Sequence, residues 1–226
     1  MANKNTVLVV AAHSDDEALG CGGTIAKHVE NEDDVYVIFM TDGVAARLPS
    51  DSCDGDKRYA SSKEALAVLG VKGVFRFDFP DNNMDSVPLI QVVKKLEQVV
   101  DKVQPSIVYT HYAHDLNVDH RITHQAVMTA CRPQSHCPVK EIYTFEILSS
   151  TEWSSKSSQQ FLAQLIVDVS EQWDKKIRAL HCYHDEMREF PHSRSFECIE
   201  ALATLRGSVH GLIKAEAFFI ERIIHL

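Results

Sequence analysis

Near its start the chain carries Thr6-Val7-Leu8-Val9-Val10, an apolar run that leads directly into Ala11-Ala12-His13-Ser14-Asp15-Asp16-Glu17. An unbroken valine and leucine run of this kind suits a strand buried on both faces, as in a parallel sheet. The small, apolar segment from Ala18 to Ala26 then reads as a packed helix. A histidine and adjacent carboxylates are thereby set at the carboxyl end of a first strand, where open α/β sheets place their ligands. His13 and Asp16 both offer metal-ligand atoms, and Asp15 between them is free to act as a base. That combination points to a metal-dependent hydrolase. The same acids would also suit a helix N-terminus, where carboxylates complement the macrodipole. Spacing alone leaves both roles open.

Further along, strand-like and helix-like patterns alternate. Strands are predicted at Val35 to Met40, Val74 to Phe77, Ser106 to Thr110, Glu141 to Leu148 and Leu165 to Val169. Helices are predicted at Arg58 to Leu69, Pro88 to Val103, Arg121 to Ala130, Gln172 to His184 and Ser195 to Arg206. The clearest of these is Pro88 to Val103, whose valines and leucines recur at the spacing of one helical face. Ala46 to Lys57, with Pro49 and Gly55, reads as a surface loop after a polar turn at Thr41-Asp42-Gly43. The apolar segment Ala217 to Ile224 fits either a strand or a helix. Such alternation implies an α/β protein, a mostly parallel sheet with helices on both faces. A chain of 226 residues without repeats or linker-like stretches reads as one domain over 1–226.

Composition removes several classes of function. A net charge of -9 argues against broad contact with nucleic acid or anionic membrane. No run approaches membrane-spanning length, and the first residues lack a signal-peptide succession. The six cysteines form no CxxC pair, so neither a disulfide framework nor a cysteine zinc site is indicated and a cytoplasmic protein is expected. Gly20-Cys21-Gly22-Gly23 lacks the GxGxxG spacing of a dinucleotide loop and reads as close helix packing. Trp153 and Trp173 read as core or interface packing residues, and the cysteines as buried apolar ones.

A catalytic zinc site has three protein ligands and an open position for water. The third ligand should come from a neighbouring strand end, and Asp115-Leu116-Asn117-Val118-Asp119-His120 follows the strand that ends at Thr110. His120 is the expected third ligand. His124, one helical turn on, is the competing choice.

These residues resemble a known family. Ala12-His13-Ser14-Asp15-Asp16-Glu17 is similar to the AH(P/S)DDE signature of the LmbE-like, or PIG-L-type, zinc-dependent de-N-acetylases. Asn117-Val118-Asp119-His120 stands where that family has its second motif, usually HPDH. Arg58 ahead of Leu69-Gly70, Ala179-Leu180 with Tyr183, His192-Ser193-Arg194-Ser195, Leu205-Arg206-Gly207 and Ala215-Glu216-Ala217-Phe218 match its later landmarks. The resemblance implies a Rossmann-like α/β fold and a small-molecule substrate, an N-acetylated amino sugar or glycoconjugate of the N-acetylglucosamine type. It implies Zn2+, or another divalent metal, on His13, Asp16 and His120, with Asp15 as general base. Homo-oligomers are common in the family.

One departure bears on mechanism. The family's second motif opens with a histidine that stabilises the tetrahedral intermediate, and here Asn117 stands in its place. Asparagine can donate a hydrogen bond to an oxyanion but can neither carry a positive charge nor shuttle a proton. Asn117 is therefore a catalytic candidate, with His111, His114 or His192 as groups that could fill the gap. Asp119 either orients a neighbour or caps the following helix. Arg58 and His192 are candidate substrate contacts. Two rival readings remain: deacylation of a non-sugar amide on the same metal, and a non-catalytic metal or sugar-nucleotide binding protein.

Overall fold

A computed structural model describes residues 4–41 and 52–225 of the chain. Strand β1 (Thr6–Ala11) leads into helix α1 (Asp16–Glu30) and β2 (Asp34–Thr41). Helix α2 (Ser52–Leu69), β3 (Gly73–Phe79), α3 (Leu89–Val103), β4 (Ile107–His111) and α4 (Val118–Ala130) follow. Then come β5 (Glu141–Phe145), β6 (Leu165–Asp168), α5 (Trp173–Cys182), α6 (Phe196–Ser208) and β7 (Ala215–Ile223). The sheet order is β3-β2-β1-β4-β5-β7-β6. Neighbours from β3 to β5 are parallel, and β7 runs antiparallel to both β5 and β6. This is the α/β, mostly parallel architecture expected, with one reversed strand.

The side chains of β1 explain why it lies at the centre. Val7, Val9 and Ala11 enter one core layer with residues of α1, α2, α5 and α6. Leu8 and Val10 enter the other with α3 and α4. All five are fully buried, and full burial of a valine or leucine is worth roughly 1.5–3 kcal/mol. A strand so committed on both faces fixes where its polar continuation emerges. Chain direction across the sheet reverses at β1, whose neighbours are β2 on one side and β4 on the other. The crevice outside the carboxyl ends of β1 and β4 is the switch point at which such sheets bind ligands.

Several boundaries differ from expectation for physical reasons. Helix α4 starts at Val118, ahead of the expected Arg121, because the Asn117 side chain accepts the Asp119 N–H and caps it. The C-terminal segment is a strand, its Phe218 and Phe219 paired with Phe145 and Thr144. The turn expected at Asp42-Gly43 and the loop from Ala46 to Asp51 lie outside the described residues, and from Ser52 the chain is already helical. The glycine cluster serves close packing: a Cβ on Gly20 would meet the Phe145 ring at 2.4 Å, and one on Gly23 would meet Val169 at 2.7 Å. Cys21 and Cys131 are buried, whereas Cys137, Cys182 and Cys198 are only partly so. Trp173 packs against the core. Trp153 does not: it is half exposed on a short turn after β5, its ring edge against His192.

Candidate active site

His13, Asp15 and Asp16 leave the end of β1 on the turn that becomes α1, and His120 is in the first turn of α4 beyond β4. The three donor atoms nearest one another are His13 Nδ1, Asp16 Oδ2 and His120 Nε2. Their separations are 3.2 Å, 3.3 Å and 3.4 Å. A tetrahedral ion held at about 2.0–2.1 Å from each ligand would need donor separations of about 3.3–3.4 Å. The donor set thus fits a divalent ion without rearrangement.

What surrounds these atoms aims them. His13 Nε2 is 3.1 Å from both Asp81 Oδ1 and Asp119 Oδ2. A proton on that nitrogen leaves the Nδ1 lone pair facing Asp16 and His120. Asp119 is held in turn by the N–H groups of Asn82 and Met84, at 2.6 Å and 3.0 Å. The structure therefore separates the two roles weighed for this region: Asn117 is the cap, and the Asp119 carboxylate faces His13. Asp81, Asp119 and His13 also form a second group close enough for an ion, but the Asp119 oxygens already accept those backbone donors. His120 Nδ1 lies 3.1 Å from Asp115 Oδ1. Asp115 also accepts hydrogen bonds from Asn117 N–H, Thr151 Oγ1 and Ser150 Oγ.

Charge in this region is strongly perturbed. Burial alone would raise the Asp16 carboxyl, yet His120 and His111 beside it hold it well below the usual range. Burial would depress His13, but its contacts with Asp119, Asp16 and Asp81 carry it well above its ordinary value. His120, buried likewise, is pushed up to about 9 by Asp16 and Asp115. His111 stays neutral because burial dominates. Its Nε2 accepts the Ala12 N–H at 2.8 Å, and its ring stacks on His120.

Asp15 stands at the start of α1 with φ 130 and makes no capping hydrogen bond with its side chain. A non-glycine residue in such backbone costs on the order of 1–3 kcal/mol. Its N–H donates to Glu17 Oε2, and Glu17 Oε1 accepts from the Tyr183 hydroxyl. The Asp15 carboxylate turns away from the helix toward Arg194, whose Nη1 donates to Oδ2 at 2.9 Å. Burial lifts the Asp15 carboxyl to about 6 against the pull of Arg194.

These groups open on a cavity of about 220 Å³ lined by His13, Asp15, Asp16, Asn117, His120 and Arg58. Six of the residues singled out in the sequence thus meet on one surface. Asp119 is buried behind it, and His192 is not among the lining residues. His124 Nε2 lies 3.2 Å from Glu221 Oε1 and is not among the lining residues. Arg194, Arg188, Glu186, Asp81, Asn82, Ser149 and Ser150 also line the cavity, and none was singled out as a site residue. They come from loops after β3, β5 and α5, where no periodicity marks them. Only the His192-to-Ser195 landmark pointed near Arg194.

A family model described as PIG-L, GlcNAc-PI de-N-acetylase, matches residues 8–131, more than half of the chain. The chain belongs to this family. The uncharacterized deacetylase YaiS of Escherichia coli K12 is 29% identical over 179 residues, 76% of this chain and 86% of that protein. The probable N-acetyl-alpha-D-glucosaminyl L-malate deacetylase 2 of Bacillus cereus is 26% identical and covers 80% of this chain, with 83% of its own length matched. Among solved structures, the 4-carboxy-2-hydroxymuconate hydratase GalB of Pseudomonas putida superposes with a TM-score of 0.78 at 23% identity, covering 98% of this chain and 99% of that one. The PIG-L match spans β1 through α4 and so includes all three candidate ligands. Among the described residues no helix is long and apolar enough to cross a membrane.

Proposed function

We propose that the protein is a metal-dependent N-deacetylase of an N-acetylated amino sugar or its conjugate, with zinc as the metal. The observation that carries this reading is the 3.2–3.4 Å triangle of His13, Asp16 and His120 donor atoms on the same cavity as Asp15. Membership of the PIG-L family supports the reaction class, and the named activities of the E. coli and B. cereus relatives support an acetamido substrate. The fold by itself does not choose the reaction, since GalB shares it. The donor set and the adjacent acid support the hydrolytic reading.

His13, Asp16 and His120 would hold the ion. When bound it would acidify a water and polarise the acetyl carbonyl. Asp15 accepts the water's proton as the new C–O bond forms, then delivers it to the amide nitrogen as the C–N bond breaks. The products are acetate and a free amine. Asn117 lines the same cavity and would offer the developing oxyanion the amide N–H not given to Asn82, and Arg58 would grip a sugar hydroxyl or an attached phosphate. His192, beside Trp153, is assigned to the outer edge of the substrate path. We treat residues 1–226 as one catalytic unit. The cysteines, all free among the described residues, fit a cytoplasmic setting.

The test is acetate release from a panel of N-acetylglucosamine conjugates and simple non-sugar acetamides, with and without chelator. Chelator-sensitive release from at least one sugar conjugate is expected. Turnover of non-sugar acetamides alone would move the substrate class. A protein that retains metal yet hydrolyses no acetamide would be a binding module.

A further inference from the structure

The chain lacks a histidine at position 117, and none of the three histidines that could compensate is among the residues lining the cavity. His111 is fully buried, with Nε2 committed to the Ala12 N–H. His114 is exposed, its ring against Tyr112. His192 Nδ1 accepts the Arg194 N–H. Asn117 is itself largely committed, since Oδ1 caps α4 and Nδ2 donates to Asn82 Oδ1 at 3.1 Å.

The cations that do line the cavity are arginines. Arg188 is exposed and directs Nη1 at the Asp185 and Met187 carbonyls. Arg58 faces Glu186 at 3.6 Å. Arg194 hydrogen-bonds the proposed base. Its Nη1 donates to Asp15 Oδ2 at 2.9 Å, and its Nε donates to Ser149 Oγ at 2.8 Å. Held by two nitrogens on two partners, the guanidinium has a fixed position. It pins one oxygen of Asp15, and among the described residues no hydrogen bond reaches the other oxygen, Oδ1.

We propose that Arg194 is a positioning residue that also provides the positive charge Asn117 cannot. This rests on the deacetylase reading above. In the resting site Asp15 and Arg194 form a neutral pair. When Oδ1 takes the water's proton, the pair becomes cationic just as the acetyl oxygen becomes anionic. When that proton passes to the departing nitrogen, with the C–N electron pair staying on nitrogen, the pair is neutral again. No other reactant is needed. The pair thus supplies a charge timed to the intermediate, whereas a permanent histidinium would be cationic in the ground state too. An interaction stronger in the transition state than in the ground state raises kcat and leaves KM alone.

The experiment compares wild type, Arg194→Gln, Arg194→Lys, Asn117→His and the Arg194→Gln/Asn117→His double variant. Steady-state kinetics, bound metal per chain and thermal midpoint are measured for each on one sugar acetamide. Arg194→Gln should lower kcat about a hundred-fold, the scale of one lost oxyanion partner, with KM and metal content unchanged. Arg194→Lys should recover most of that loss, because it keeps the charge. Asn117→His should raise kcat about tenfold in the Arg194→Gln background. Equal kcat in Arg194→Gln and wild type would overturn the proposal. So would equal losses in the Gln and Lys variants, or a double variant no better than Arg194→Gln. A wild type silent on every acetamide would instead overturn the deacetylase reading, and this proposal with it.

Discussion

Two buried polar networks meet on α1, and they differ in whether their charges close. In the first, Glu216 on β7 accepts the Gly23 N–H and the Thr24 N–H and hydroxyl, at 2.6–2.9 Å. Lys176 on α5 donates to Glu216 Oε1 at 2.6 Å and to the Leu19 carbonyl at 2.8 Å. In a regular helix the Gly23 N–H would donate to that same carbonyl. A carboxylate and an ammonium from other elements have entered the ladder, and α1 is non-helical at Cys21 as a result. One negative charge meets one positive charge, and each has backbone partners. In the second network, at the N-terminal end of α1, Asp16 Oδ2 lies 3.2–3.4 Å from nitrogens of His13, His111 and His120. His13 also faces Asp81 and Asp119, and the buried His111 Nδ1 has no partner. The closed network builds the fold. The open one has donor atoms converging without a shared counterpart, which is the arrangement a cation completes.

That contrast can be broken by experiment. The largest effect is expected at the open end. Asp15→Asn should lower kcat by about 10²–10⁴, the usual contribution of a general base, while metal per chain stays at the wild-type value. In the closed network, Lys176→Met should cost about 3–5 kcal/mol of unfolding free energy by leaving Glu216 buried without its counter-charge, as read by denaturant titration. The kcat of the folded fraction should not change. If Lys176→Met instead abolished metal binding at full stability, the two networks would not be separable.

Metal itself sharpens the comparison. Free zinc at a hundred times its Kd should stabilise the wild type by about 2.7 kcal/mol, and Asp16→Asn should show almost none of this gain. The smallest effect is with pH. Because the ion-free protein holds His120 up to about 9 and His13 well above its ordinary value, protons occupy the ligands below that range. Metal binding must displace them, so affinity should fall by about tenfold per pH unit for each displaced proton as pH drops below 9. Titration with a metal indicator measures this, and a pH-independent affinity would contradict the proton occupancy.

The legibility of the chain follows the same division. The run before His13 announces itself because burial on both faces leaves it unbroken, and the stripe of α3 because burial on one face imposes a helical period. His13, Asp15, Asp16 and His120 were legible because two adjacent strand ends carry metal-ligand side chains. Arg194, Asp81 and Ser149 were not, since each reaches the cavity from a separate loop whose position depends on packing far away in sequence. Strand β7 was ambiguous because the six apolar residues of Ala217 to Ile224 fit either period. Glu216 within it has meaning only beside α1. Trp153 is half exposed with its ring edge against His192, and hydrophobicity alone does not tell a core tryptophan from one at the surface.

In the proposed site three side chains share one ion that the base beside them does not hold. Metal retained per chain after exhaustive dialysis, measured side by side for wild type, His120→Ala and Asp15→Asn, tests this directly. The prediction is one divalent ion in the wild type and in Asp15→Asn, and none in His120→Ala. Undiminished metal in His120→Ala, or none in the wild type, would contradict it.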